Sequence, residues 1–259
     1  MTSKGRRLLL LLLLAAAAAC QSVPYTKRSS LVLVSAGEEA ALGESAYKEE
    51  LSKARLSTDA AAAAMVRRVG ERIAAAADKP DFKWEFNLID DPKTVNAWCL
   101  PGGKVAVYSG ILPITRDEEG LAVVMGHEIA HALARHGSER MSQGLLAQLG
   151  GVALGAAMAS KPEATQQLAQ QAYGAGATVG VLLPFSRAHE SEADRIGLIL
   201  MAKAGYEPGA AVGFWGRMAQ AGGKDSTPEF LRTHPADAKR IADIEKRLPE
   251  ARGYLKKGP

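Results

Sequence analysis

His127, Glu128 and His131 are the residues of this chain whose types and spacing can do chemistry. On a helix, residues four apart are turned by about 40°, so His127 and His131 project from one face toward a common point. Two imidazoles so placed suit a zinc ion, and Glu128, beside the first of them, can take a proton from a water on the metal as general base. Zinc lowers the pKa of such a water to about 7, which suits hydrolysis at neutral pH, with the peptide bond the usual target. The flanking GLAVVMG (120–126) and AHALA (130–134) make the helix apolar. Polar groups in such a helix are costly unless paired or bound to metal, which separates this stretch from a chance match.

A hydrolytic zinc needs a third protein ligand and one open position. His136 follows His127 by nine residues, about 180° round a continuing helix, and reads instead as a cap on the last helical carbonyls. The segment SRAHESEADRIG (186–197) offers better donors. In a helix from Ser186, Glu190 and Asp194 share a face, so Glu190 can ligate while Asp194 holds a ligating histidine by its other nitrogen. Glu192 points elsewhere, toward solvent. An ordinary charged surface helix is the competing account of these residues.

Taken together, HEIAHALARH and, 59 residues after His131, ESEAD resemble the HtpX- and Oma-like gluzincin peptidases, family forty-eight of the metallopeptidases. The resemblance implies His127, His131 and Glu190 as ligands of one zinc per chain, Glu128 as general base and Asp194 behind the ligands. NAWCLPGG (96–103) looks like that family's strand and turn before the active-site helix, and Thr233-His234-Pro235 resembles its late THP motif. The similarity runs from about Ala36 to Leu248 with the motifs in order. It implies a zinc-dependent endopeptidase with an α+β, mainly helical zincin fold and a small sheet next to the active-site helix.

The elements that must position these groups are partly legible. Two alanine-rich helices are expected near 37–55 and 58–77, with Ser57-Thr58-Asp59 as break and start signal. Phe82 to Ile89 alternates as a strand, and Lys104 to Ser109 is a second β-rich run after the Pro101-Gly102-Gly103 turn. The active-site helix starts near Asp117, and Ala236 to Leu248 closes the chain. A strand at 104–109 beside the active-site helix can present an open edge to an extended peptide. Asn96, Lys104, Val105, Ala106 and Val107 are therefore the candidate substrate-binding residues, in a mode suited to unfolded or misassembled proteins. His234 has two functional accounts, donor to the tetrahedral oxyanion or a side chain closing the open zinc position at rest. The second is preferred because an unregulated protease is hazardous, and a plain turn residue before Pro235 is the alternative; Arg240 is a weaker candidate for the electrostatic role. The apolar runs Leu145–Ala159 and Ala175–Leu183 fall short of the ~20 residues of a span. They read as a hairpin over the cleft or at a membrane surface.

Lys4, Arg6 and Arg7 precede the apolar run Leu8 to Ala19, the pattern of a signal peptide. Ala17-Ala18-Ala19-Cys20 resembles a bacterial lipobox, which makes Cys20 the expected lipidation site, and Gln21 after it favours the outer membrane by likeness to Gram-negative lipoproteins. The expected parse is signal peptide at 1–19, lipidated N-terminus and tether at 20–35, and a peptidase domain at 36–259. The expected location is the periplasmic face of a Gram-negative outer membrane, held by a lipid anchor and close to outer-membrane assembly machinery. Three of the four net positive charges of the chain lie in 1–19, and no basic cluster with interleaved aromatics suggests nucleic acid. Cys99 then stands alone, a small buried residue outside any disulfide framework. An envelope-protein chaperone or assembly factor with latent protease activity is the alternative function. A purely structural zinc is disfavoured, since a closed structural site has no use for Glu128.

Overall fold

A computed structural model describes residues 20–178, 182–222 and 227–255; the expected signal peptide at 1–19 lies outside them, as does the side chain of Cys20. The chain forms two compact units, one of Ala36–Ala134 and Glu190–Pro259, the other of Met1–Ser35 and Arg135–His189.

The first unit opens with helices α1 (Ala36–Lys53) and α2 (Ala60–Ala77). Asp59 starts α2 by accepting the Ala62 N–H at 3.0 Å, which satisfies one of the orphan donors of the first turn. Three strands follow, β3 (Glu85–Ile89), β4 (Ala97–Leu100) and β5 (Lys104–Tyr108), numbered after two short strands of the other unit. Their spatial order is β3–β5–β4, with β3 parallel and β4 antiparallel to β5. The β4–β5 turn runs through Gly102 and Gly103 at φ of 84° and 90°, a region costly for any residue with a Cβ.

This order overturns the expected substrate strand. Lys104, Val105, Ala106 and Val107 lie in the central strand, hydrogen-bonded to β3 on one side and β4 on the other, and none of the three apolar residues is exposed. No peptide can pair with a backbone already paired on both sides; the edges of the sheet are β4 and β3, and the end of β3 is bridged to Leu56 at Ile89. Lys104 is instead tied to Glu44 on α1 and Glu85 on β3.

After a single turn, α3 (Leu112–Thr115), the buried helix α4 (Glu118–Leu133) begins where Asp117 accepts the Gly120 N–H at 2.9 Å. Helices α7 (Leu183–Lys203), α8 (Ala210–Ala221), α9 (Glu229–Thr233) and α10 (Ala238–Arg252) complete the unit from Glu190 onward. Asp237 starts α10 by accepting the Arg240 N–H at 2.7 Å. Helices α4 and α7 touch backbone to backbone: a Cβ on Gly197 would lie 3.0 Å from the main chain of Gly126 and His127.

In the second unit β1 (Cys20–Ser22) pairs antiparallel with β2 (Ser29–Leu31), and α5 (His136–Met158) and α6 (Glu163–Ala177) form a hairpin. The stretch expected as a polar tether is therefore ordered, with Val23, Ser30 and Val32 buried. Arg28 donates two hydrogen bonds to Glu139 at 2.8 and 2.7 Å, and His189 meets the same carboxylate at 3.1 Å. Burial opposes the Glu139 charge, but His189, Arg28 and Ser30 more than offset it and hold the carboxyl well below its ordinary pKa. His136 opens α5 and stacks on His189 at 4.2 Å between ring centroids. Helix α4 ends where the Ala134 N–H meets Ala130 O, and Arg135 turns the chain at a φ of 57°. The hairpin closes over small residues, where Tyr173 donates to Ala147 O and Gln170 to Gly151 O, both at 2.9 Å. Met141, Leu145, Leu149 and Val152 remain exposed along α5, and no described helix is long and apolar enough to cross a membrane.

Candidate metal centre

Helix α4 carries His127, Glu128 and His131, α7 carries Glu190 and Asp194, and the turn after α9 carries His234. One donor atom each from His127, His131, Glu190 and His234 lies within 4.8 Å of all the others. The two Nε2 atoms of His127 and His131 are 3.1 Å apart, and Glu190 oxygens lie 3.2 and 3.3 Å from them. His234 Nδ1 is 2.9 Å from Glu190 Oε2 and 3.1 Å from His127 Nε2. Tetrahedral zinc at 2.0–2.1 Å from each nitrogen needs ligand atoms about 3.3 Å apart, so this donor set fits the ion.

The support around the donors is built for a cation. Asp194 Oδ1 sits 3.0 Å from His127 Nδ1, so the Nδ1–H points at the carboxylate and the Nε2 lone pair points inward. Arg240 grips Asp194 with two hydrogen bonds, 2.9 Å from Nε and 2.7 Å from Nη2, and also donates to Pro235 O at 3.0 Å. Burial disfavours a charged His127, yet Asp194 and Glu190 outweigh it and raise its pKa to about 9. Burial likewise opposes charge on Glu190, but His127, His131 and His234 hold it far below the usual carboxylate range. Burial opposes charge on Asp194 as well, and Arg240 and His127 more than offset that.

Glu128 is buried, and its Oε1 has no hydrogen-bond partner among the described residues. That oxygen lies 3.4 Å from His234 Nε2. An orphaned carboxylate oxygen beside four converging donors fits a metal whose water it serves. Burial pushes the Glu128 pKa up, in the direction a base needs to hold a proton in transit.

Asn96 stands at the head of β4, where its carbonyl accepts the Tyr108 N–H at 3.0 Å and its side chain accepts the Ala97 N–H at 2.9 Å. Cys99 on β4 is half-buried, and burial, with the Glu128 charge nearby, pushes its thiol up. Glu192, expected in solvent, is buried, and His136 lies outside the donor group. Sequence reasoning missed Trp215 and Phe230. Trp215 faces His127 at 5.8 Å and carries the Arg240 guanidinium 3.5 Å above its ring, while Phe230 stands between Trp215 and His234. Trp215, beside Phe214 between two glycines, and Phe230, in a five-residue helix after Pro228, gave no signal pointing to the site.

The Peptidase family M48 model matches residues 60–248. Mitochondrial metalloendopeptidase OMA1 of Schizosaccharomyces pombe is 41% identical over 233 residues, covering 88% of this chain and 66% of the relative. The human mitochondrial metalloendopeptidase OMA1 is 32% identical over 240 residues, covering 88% and 46%. The beta-barrel assembly-enhancing protease of Escherichia coli is 29% identical over 222 residues, covering 85% and 45%. The chain thus spans between about half and two thirds of the length of these relatives. The comparisons also correct the expected location at the periplasmic face of a bacterial outer membrane: relatives at 41%, 34% and 32% identity are mitochondrial enzymes. With the motif helices, their ligand geometry and the family match in agreement, the chain belongs to peptidase family M48, and all four donor residues lie within the matched stretch.

Proposed function

We propose that the chain is a zinc-dependent endopeptidase that cuts unfolded or misassembled proteins. The observation that carries this reading is the convergence of four donor atoms within 4.8 Å beside the orphaned Glu128 oxygen. Bound zinc would supply Lewis-acid polarisation of the scissile carbonyl and an acidified water. Glu128 takes the proton of the attacking water and passes it to the leaving nitrogen. Asp194 and Arg240 hold His127 in one tautomer and one pose.

The substrate strand is β4. The carbonyls of Asn96 and Leu100 accept N–H groups of Tyr108 and Gly103, on the β5 side. Main-chain groups alternate along a strand, so those of Ala97 and Cys99 face away from β5; the Ala97 N–H is taken by Asn96 Oδ1 at 2.9 Å, which leaves the Ala97 carbonyl and both groups of Cys99 as the address for an extended peptide. Recognition through backbone suits clients defined by unfolding rather than by sequence. His234 belongs with the donors, 2.9 Å from Glu190, which favours the resting cap over the oxyanion donor.

Casein cleavage by the wild type and by Glu128→Gln, with and without chelator, tests the reading. Glu128→Gln should keep its metal and lose about 10²–10⁴-fold in turnover; full activity in that variant would overturn the assignment. His234→Ala should raise basal turnover if it is a cap, whereas an oxyanion donor would cost about 10²–10³-fold.

A further inference from the structure

We infer that Phe230 is a positioning residue that latches His234 among the metal donors, and that a peptide pairing along β4 releases the latch. The inference rests on reading His234 as the resting cap. Four side chains form a continuous stack. The Arg240 guanidinium lies 3.5 Å from the Trp215 ring centroid. Trp215 and Phe230 stack at 5.8 Å with 25° between planes, and Phe230 meets His234 at 4.6 Å and 36°. Arg240 is itself fixed by two hydrogen bonds to Asp194. The pose of His234 is therefore built outward from the group that holds His127.

The main chain ties the same segment to the substrate edge. The His234 N–H donates to Phe230 O at 2.9 Å, and the Phe230 N–H donates to Val95 O at 3.0 Å. Asn96 O is taken by β5, so the Val95 carbonyl, one residue earlier, points to the other side, with those of Ala97 and Cys99. Helix α9 thus docks on the same edge that a peptide would extend along. It has five residues, Glu229–Thr233, too few to hold a helix without such contacts. A peptide strand that continues past Ala97 reaches Val95 and competes with the Phe230 N–H for its carbonyl. Losing that bond frees α9, and His234 leaves with it. A peptide confined to Ala97 and Cys99 leaves the latch shut.

The test uses the zinc-loaded chain with two quenched fluorogenic peptides, one short and one long enough to run past Ala97. Wild type should show a kcat/KM advantage for the long peptide that His234→Ala abolishes. Phe230 is wholly buried, so Phe230→Leu, which keeps apolar bulk but removes the ring, is the working variant. It should raise short-peptide kcat/KM about 2- to 12-fold, the factor lost with a ring-pair contact, and the Phe230→Leu/His234→Ala double variant should exceed His234→Ala by nothing. Independently of turnover, hydrogen exchange in Glu128→Gln should show the Phe230 amide losing protection with the long peptide only. A Phe230 amide still protected under bound long peptide, or a length advantage intact in Phe230→Leu, overturns the latch. If His234→Ala raises the short-peptide rate and Phe230→Leu does not, the latch alone fails. If His234→Ala changes nothing, the cap reading fails first.

Discussion

Asp194 decides how His127 meets a metal, because a carboxylate 3.0 Å from Nδ1 fixes which nitrogen keeps its lone pair. Asp194→Asn preserves the shape but removes the charge and leaves the buried Arg240 with Glu190 alone, 3.3 Å from Nη1, as its counter-ion. Zinc affinity measured by chelator competition should fall about 10- to 100-fold, with helical circular dichroism unchanged; equal affinity would show that the tautomer is set by something else. His127, His131, Glu190 and Asp194 were legible in the sequence because each pair is four residues apart, and the helical period alone puts such pairs on one face. Arg240 was visible only as a weak candidate. Its role arises where α10 meets α7 and α8, a meeting between residues 46 apart in the case of Asp194, and no local period encodes it.

At the scale of elements, the site exists because α4 and α7 approach backbone to backbone. A methyl on Gly197 would sit 3.0 Å from the main chain of Gly126 and His127, and backbone in a packed helix pair cannot shift cheaply. Overpacking costs about 1–3 kcal/mol, whereas replacing glycine by alanine in a helix gains about 0.5–1 kcal/mol. The clash wins, so Gly197→Ala should lower stability by about 1 kcal/mol in denaturant melts and weaken zinc binding along with it; a stabilised variant would mean that the helices separate freely. The helices and their starts at Asp59 and Asp117 followed from capping side chains, a local signal. Strand β4 did not. Ala97–Leu100 is four residues without polar alternation, and its place at the edge depends on β5 passing between two earlier strands. That is a non-local fact, and it is why the expected open edge was placed on a strand that is paired on both sides.

For the molecule as a whole, the stretch between the second and third candidate ligands belongs to a unit with its own polar core. In that unit Glu139, bound by Arg28 and His189, has a pKa below its ordinary value. A depressed carboxyl contributes stability that is fully present above its unfolded pKa of about 4.3 and is lost as pH falls through the folded value. The stability gap between wild type and Glu139→Gln should therefore be widest near neutrality and close below about pH 4, as read by thermal melts across pH; a gap independent of pH would exclude the ion pair as its source. The sequence showed this insertion as two apolar runs but not its polar core, since Arg28 and Glu139 are 111 residues apart. A basic start and an apolar run did not carry the compartment, which the relatives corrected. The outer edge of β4 has one more consequence. On the proposed reading of β4 as the substrate strand, Ala97 and Cys99 would offer a client only backbone, so a client would first have to release a stretch of its own. Where that opening is faster than cutting, degradation follows the population of the open form, and each 1.4 kcal/mol of a client's local stability alters its lifetime about tenfold. Such a protease sorts proteins by thermodynamic fitness, with no need to know what they are.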